Sequence, residues 1–173
     1  MKETKPGNGT YSRLASGRFG DWLPARPARI SPIAHARCKN GPVFKWRPAR
    51  AIGVPEIDAQ HMALFEEAER IERAVKAREP QDRLMALLAS LTDHAVAHFF
   101  AEEQLMRDVG YPRRAEHVQE HAYMMRRFRS LVPRWKSERD SAAQMRTLLG
   151  FLDLWLNTHI PNSDRQIGDF IRK

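Results

Sequence analysis

Cysteine is almost absent: Cys38 is the only one in 173 residues. A single thiol excludes an internal disulfide framework, a thiolate zinc site and a cysteine-held iron–sulfur cluster, and without a CxxCH stretch a c-type haem attachment is excluded too. Long hydrophobic runs are also missing. The longest, Leu84–Leu91 and Phe151–Leu156, fall far short of the roughly 20 residues that a bilayer-spanning helix needs. The first residues lack the apolar core of a signal peptide. The expectation is a cytoplasmic protein of a reducing compartment. Hydrophobic residues still make up 42% of the chain, enough for a packed core, which excludes wholesale disorder.

Acidic charge is scarce at one end. Residues 1–43 carry Lys2, Lys5, Arg13, Arg18, Arg26, Arg29, Arg37 and Lys39 against only Glu3 and Asp21, so they hold six of the eight net positive charges. The same segment is dense in Gly, Pro and Ser, and Pro24, Pro27 and Pro32 interrupt any helical period. It reads as a disordered basic tail with a transient helix around Tyr11–Phe19. Such a tail could contact an anionic partner or serve as an organelle transit peptide. An alternative start at Val43 is another reading of the same boundary. The remainder, residues 44–173, is nearly balanced in charge and forms the folded domain.

Within that domain the apolar residues recur at helical spacing. The first stripe is Ile57, Leu64, Phe65, Ala68, Ile71 and Val75, ending near Arg78. The second is Leu84, Leu87, Leu88, Leu91, Ala95, Phe99, Leu105 and Met106, stopped by Gly110-Tyr111-Pro112. The third runs through Val118, Met125, Phe128 and Leu131 towards Pro133. The fourth holds Met145, Leu148, Leu149, Leu152, Trp155 and Leu156. Four amphipathic helices with short connections and no strand pattern predict an all-α, antiparallel up-and-down four-helix bundle.

Histidines occupy the gaps in these stripes. His61 stands between Ile57 and Leu64 on one face. His98 and Glu102 are four apart, about 40° around a regular helix, and so are His117 and His121. His159 continues the series Leu148, Leu152, Trp155. A neutral core has no use for five imidazoles and a carboxylate, each costly to bury without partners. Around a cation they can offset one another's burial. Nitrogen and carboxylate donors without thiolate suit iron, manganese, zinc or copper, and the number of donors exceeds the needs of one ion.

These residues also carry a resemblance. Trp46, then Gly53-Val54-Pro55-Glu56-Ile57-Asp58-Ala59-Gln60-His61, then His98-Phe99-x-x-Glu102-Glu103-x-x-Met106, Tyr111-Pro112, His117-x3-His121 and Trp155-Leu156-x-x-His159-Ile160-x3-Asp164 resemble the motifs of the bacterial hemerythrins over about residues 44–171. The resemblance implies a hemerythrin-like bundle with a non-haem centre of two Fe ions, oxo- or hydroxo-bridged, that binds O2 reversibly. It makes His117, His121 and His159 ligands of one iron, His61 and His98 ligands of the other, and Glu102 and Asp164 bridges between them. Of about twelve positions on two six-coordinate ions, one stays open, on the iron with two histidines. Trp155 and Leu156 would wall the O2 pocket, with Leu156 covering the open position and limiting water. His94, standing where the family commonly has tyrosine, would tune the pocket without binding metal. Pro161 would kink the fourth helix. That kink would help, because residues five apart on a regular helix lie about 140° from each other.

The implied role is an oxygen carrier, store or supplier, with no catalytic residue assigned. The alternatives are a sensor of oxygen, redox state or nitric oxide, a di-iron peroxidase, and an iron-handling protein. The folded domain is expected to be monomeric, without dedicated nucleic-acid or membrane binding.

Overall fold

A computed structural model describes residues 43–132 and 141–173, with side chains from residue 143 onwards in the second stretch. The expected disordered tail and the expected helix stop at Pro133 lie outside the described residues. Those described are all-α. A 3-10 turn, Pro48–Arg50, precedes α1 (Pro55–Lys76), α2 (Gln81–Asp108), α3 (Arg114–Leu131) and α4 (Ser141–Leu154). The chain then runs through a π-helical segment, Trp155–Asp164, into a short α5, Arg165–Ile171. The four main helices form the expected bundle, with α1 and α2 the most extensively packed pair.

Local chemistry sets the helix ends. Gly53 takes φ +87°, a conformation open to glycine. Both carboxylate oxygens of Asp58 turn back on this corner, accepting the Ile52 N–H at 2.7 Å and the Gly53 N–H at 3.0 Å. Pro55 occupies the first helical position, where its missing N–H costs nothing. At the other end α1 stops at Lys76, two residues before the expected Arg78. Arg78 adopts φ +53°, and its N–H and that of Glu79 bond back to Val75 and Ala74, a Schellman closure. The end of α2 closes the same way on Gly110, with Tyr111 N–H bonded to the Met106 carbonyl.

The apolar stripes meet in one main core, in which Leu64, Phe65, Ile71, Leu88, Leu91, Leu148, Leu152 and Leu156 are fully buried. One register detail differs from expectation. On α3 it is Met124 that is buried, while Met125 and Val118 lie partly exposed at the margin. By length and composition α2 could span a membrane, with a window of mean hydropathy 1.4. Its inward stripe lies against the rest of the bundle and includes two ionisable residues, His98 and Glu102.

The fourth helix departs most from the sequence reading. Around Pro161, ten residues wind as a π-helix, and the Arg165 N–H reaches the Ile160 carbonyl five residues back. A π-turn stacks residues five apart, as an α-turn stacks residues four apart. Pro161 has no N–H to contribute to either ladder, so the segment gives up less by leaving the α-helical pattern. His159 and Asp164 therefore share a face.

Candidate metal centre

Nine polar or charged residues are buried among those described, and seven of them converge at one end of the bundle: His61, His98, Glu102, His117, His121, His159 and Asp164. α1 supplies His61, α2 His98 and Glu102, α3 His117 and His121, and the π-segment His159 and Asp164. Their ligand-capable atoms fall into two groups, each within 4.8 Å: His117, His121 and His159 with Glu102 and Asp164, and His61 and His98 with the same two carboxylates. Both carboxylates thus belong to both groups.

All five histidines turn Nε2 towards the carboxylates. His159 Nε2 is 2.9 Å from Asp164, and His61 Nε2 is 3.2 Å from the other oxygen of that carboxylate. His117 and His121 stand 3.0 and 3.1 Å from Glu102 Oε2, with His98 at 4.0 Å. Most of these approaches lack hydrogen-bond geometry. The Nε2 atoms of His61, His98, His121 and His159, Glu102 Oε1 and both Asp164 oxygens are buried with no hydrogen-bond partner. Leaving so many buried groups unsatisfied is costly. A cation between them would satisfy the whole set, so the donors fit a metal.

The charge balance agrees. Burial and the nearby Asp164 would both raise the Glu102 carboxyl, yet the His117, His121 and His98 imidazoles hold it down at about 2. Asp164, despite complete burial, is held well below its usual range by His159 and His61. His159 is pushed the other way: against burial, the carboxylates of Asp164, Glu120 and Glu102 raise it to about 10. His98 is dominated by burial and falls to about 4.

Behind the imidazoles stand residues that the sequence reading did not single out. His98 Nδ1 meets Gln60 Oε1 at 3.2 Å, His121 Nδ1 meets Glu103 Oε1 at 3.0 Å, and His159 Nδ1 meets Glu120 Oε2 at 3.0 Å. Gln60 and Glu103 lie inside the quoted motifs, and Glu120 immediately precedes His121. Phe99 stacks on His121 with centroids 4.0 Å apart, and Trp155 packs against Phe99 at 5.3 Å. Leu156 is fully buried in the main core. Trp46 lies near His61 at 6.4 Å and Phe65 at 5.7 Å.

His94 does not join the cluster. Its side chain is 51% exposed, with Nδ1 3.1 Å from Glu67 Oε1, an oxygen that also accepts from Ser90 Oγ at 2.9 Å. One turn before His98 is near in sequence, but exposure and pairing with Glu67 place its ring at the α1–α2 surface.

The opening motif is tied to the segment that follows Asp164. Gly168 of α5 lies so close to the Ile52 backbone that a Cβ would overlap its carbonyl oxygen, and Arg172 donates to that same carbonyl. The segment that leads into α1 and His61 is thereby tied to the helix that follows Asp164.

Known proteins resemble this chain over the span that holds the cluster. The family model described as the hemerythrin HHE cation binding domain matches residues 52–171. The chain is 26% identical over 130 residues to a bacteriohemerythrin of Clostridium acetobutylicum, covering 73% of this chain and all of that protein. It is 28% identical over 127 residues to one of Pseudomonas aeruginosa, covering 73% and 80%. It is 34% identical over 96 residues to one of Aquifex aeolicus, covering 53% and 70%. With its family model matched over well over half its length, and its metal-capable cluster inside the matched span, the chain belongs to the hemerythrin family and carries that family's cation-binding domain.

Proposed function

We propose that the cluster holds two iron ions and that the protein binds O2 reversibly, as a carrier, store or supplier of oxygen. The observation that carries this reading is the division of seven buried ligands into a three-histidine and a two-histidine group sharing Glu102 and Asp164. His117, His121 and His159 would hold one ion, and His61 and His98 the other. When bound, such a pair supplies one electron from each iron to a single O2. The three-to-two division gives the His61/His98 side one protein donor fewer, and an ion held there would be the one with room for O2.

The protein's own part is to orient the donors and keep water out. Five imidazoles and two carboxylates are set by four separate segments, and the buried Trp155, Leu156 and Phe99 supply the apolar wall. An apolar shell controls solvent access to a metal and with it the lifetime of the oxygenated state. Residues 44–173 are proposed to suffice for this, with the basic leader dispensable.

Metal analysis of purified protein, joined to optical spectra under argon and air, tests the proposal. About two irons per chain and oxo-bridged charge-transfer bands are expected, with an oxygenated spectrum that reverts when O2 is removed. Two irons with irreversible oxidation would leave metal binding standing and remove reversible oxygen binding.

A further inference from the structure

The partners behind the imidazoles differ between the two groups. On the three-histidine side, His121 and His159 each point Nδ1 at a carboxylate, Glu103 and Glu120, both at 3.0 Å. On the two-histidine side, His98 Nδ1 faces the neutral amide oxygen of Gln60 at 3.2 Å, and His61 Nδ1 is buried with no hydrogen-bond partner. An acceptor on Nδ1 keeps the proton there and leaves the Nε2 lone pair for a metal. A carboxylate does more than an amide, because it makes the imidazole a stronger donor and adds a negative charge near the cation.

We infer that Glu103 and Glu120 are positioning residues that make the two metal positions unequal, the three-histidine position binding a divalent cation first and more tightly. This rests on the two-metal reading above. Gln60 is the neutral counterpart that keeps the two-histidine position weaker. Glu120 and His117 also line a small surface cleft together with Tyr111, Arg113, Glu116, Ser163 and Gln166. Removing such a partner typically lowers metal affinity 10–100-fold. The low end applies here, because the Glu103 and Glu120 side chains are 28% and 45% exposed and water screens them.

The test is a titration of the metal-free full-length chain with Co2+ alone, competed by a chelator and followed through the cobalt absorption bands. Wild type should take up two ions in resolved steps. Glu103→Gln and Glu120→Gln should each weaken the first step about tenfold and leave the second nearly unchanged. Gln60→Glu should strengthen the second step and narrow the gap. Circular dichroism at each end point separates these effects from unfolding, and a purely structural role would not produce the gain in Gln60→Glu. Two ions bound in unresolved steps, or variants that weaken both steps equally, would overturn the inference while leaving the two-metal reading intact. A wild-type chain that holds no more than one ion would overturn both.

Discussion

Two segments of this bundle do the same work with different helices. In α2, His98 and Glu102 are four apart on a regular α-helix; in the segment after α4, His159 and Asp164 are five apart on a π-helix. Each delivers one imidazole and one carboxylate to the same buried centre. The winding must follow the ligand spacing, since four residues return to one face in an α-helix and five in a π-helix. The surroundings differ as well. His98 sits 4.0 Å from Glu102 with a neutral amide behind it. His159 sits 2.9 Å from Asp164 with the Glu120 carboxylate behind it.

The most severe way to break the comparison is to exchange the spacings. Inserting one alanine between Ala101 and Glu102 turns the carboxylate about 100° away from His98 on a regular helix. Because Glu102 belongs to both candidate groups, bound metal should be lost, and the melting temperature should fall with it. Deleting Pro161 tests the opposite case. It leaves His159 and the following aspartate four apart, so an ordinary α-helix would bring them together. Metal content in that deletion should stay much closer to wild type than in the insertion. Equal loss in the two variants would mean that the π-winding does more than match the spacing.

The next largest effect concerns pH in the metal-free protein, where the two histidines should pull in opposite directions. His159 is raised from 6.5 to about 10, chiefly by the Asp164 carboxylate working against burial. Its contribution to stability is fully present below pH 6.5 and is lost as pH rises through about 10. His98 is lowered to about 4 by burial. The unfolded chain then takes a proton that the folded chain refuses, so His98 removes stability as pH falls from 6.5 to about 4. Urea midpoints of metal-free protein should therefore peak near pH 6–7. His159→Gln should flatten the alkaline limb and His98→Gln the acid limb. A profile that keeps both limbs in both variants would assign the pH dependence elsewhere.

A smaller effect is expected at the anchor of the π-segment. Gly168→Ala puts a Cβ into the Ile52 carbonyl, and overpacking of this kind costs about 1–3 kcal/mol. The strain falls on the contact between α5 and the corner before α1. It should loosen His159/Asp164 more than His98/Glu102, and hydrogen exchange in residues 155–168 should rise more than in α2. Uniform acceleration across both segments would show that the anchor stabilises the bundle as a whole.

The difference between the segments also marks what a sequence can reveal. The four stripes, the bundle and six of the seven converging residues were legible, because helical period and buried polar type are properties of the residues themselves; Asp164 came only with the resemblance to the hemerythrins. The spacing of five between His159 and Asp164 signalled an irregularity, and Pro161 suggested a kink. The hydrogen-bond ladder there is a π-helix, and Pro161 alone does not announce which winding the backbone adopts. Gln60, Glu103 and Glu120 were unreadable as partners for a different reason. Glutamate and glutamine are common on helix surfaces, and only the packing of neighbouring helices shows which of them reaches an imidazole. Glu67 and Glu72 are buried on the same grounds: Ser90 and His94 reach across from α2 to one, and the Val43 N–H and Lys76 hold the other.

His94 gives the smallest predicted effect and the sharpest contrast with its neighbour one turn on. Both are histidines on α2 four residues apart, yet His98 is buried in the centre while His94 is half exposed against Glu67. His94→Ala removes one partner from Glu67, which keeps Ser90 and lies 3.5 Å from Arg70. A pair with one exposed member is worth about 0–1 kcal/mol, so the melting temperature should shift by a few degrees at most. Metal content and the decay of the oxygenated absorbance should match wild type. Leu156→Ala is the reference, because its fully buried side chain belongs to the proposed apolar wall. It should speed that decay more than the core variant Leu148→Ala does at equal folded fraction. If His94→Ala speeds decay as Leu156→Ala does, the ring acts on the centre despite its place at the α1–α2 surface, and exposure alone does not separate the two histidines of α2.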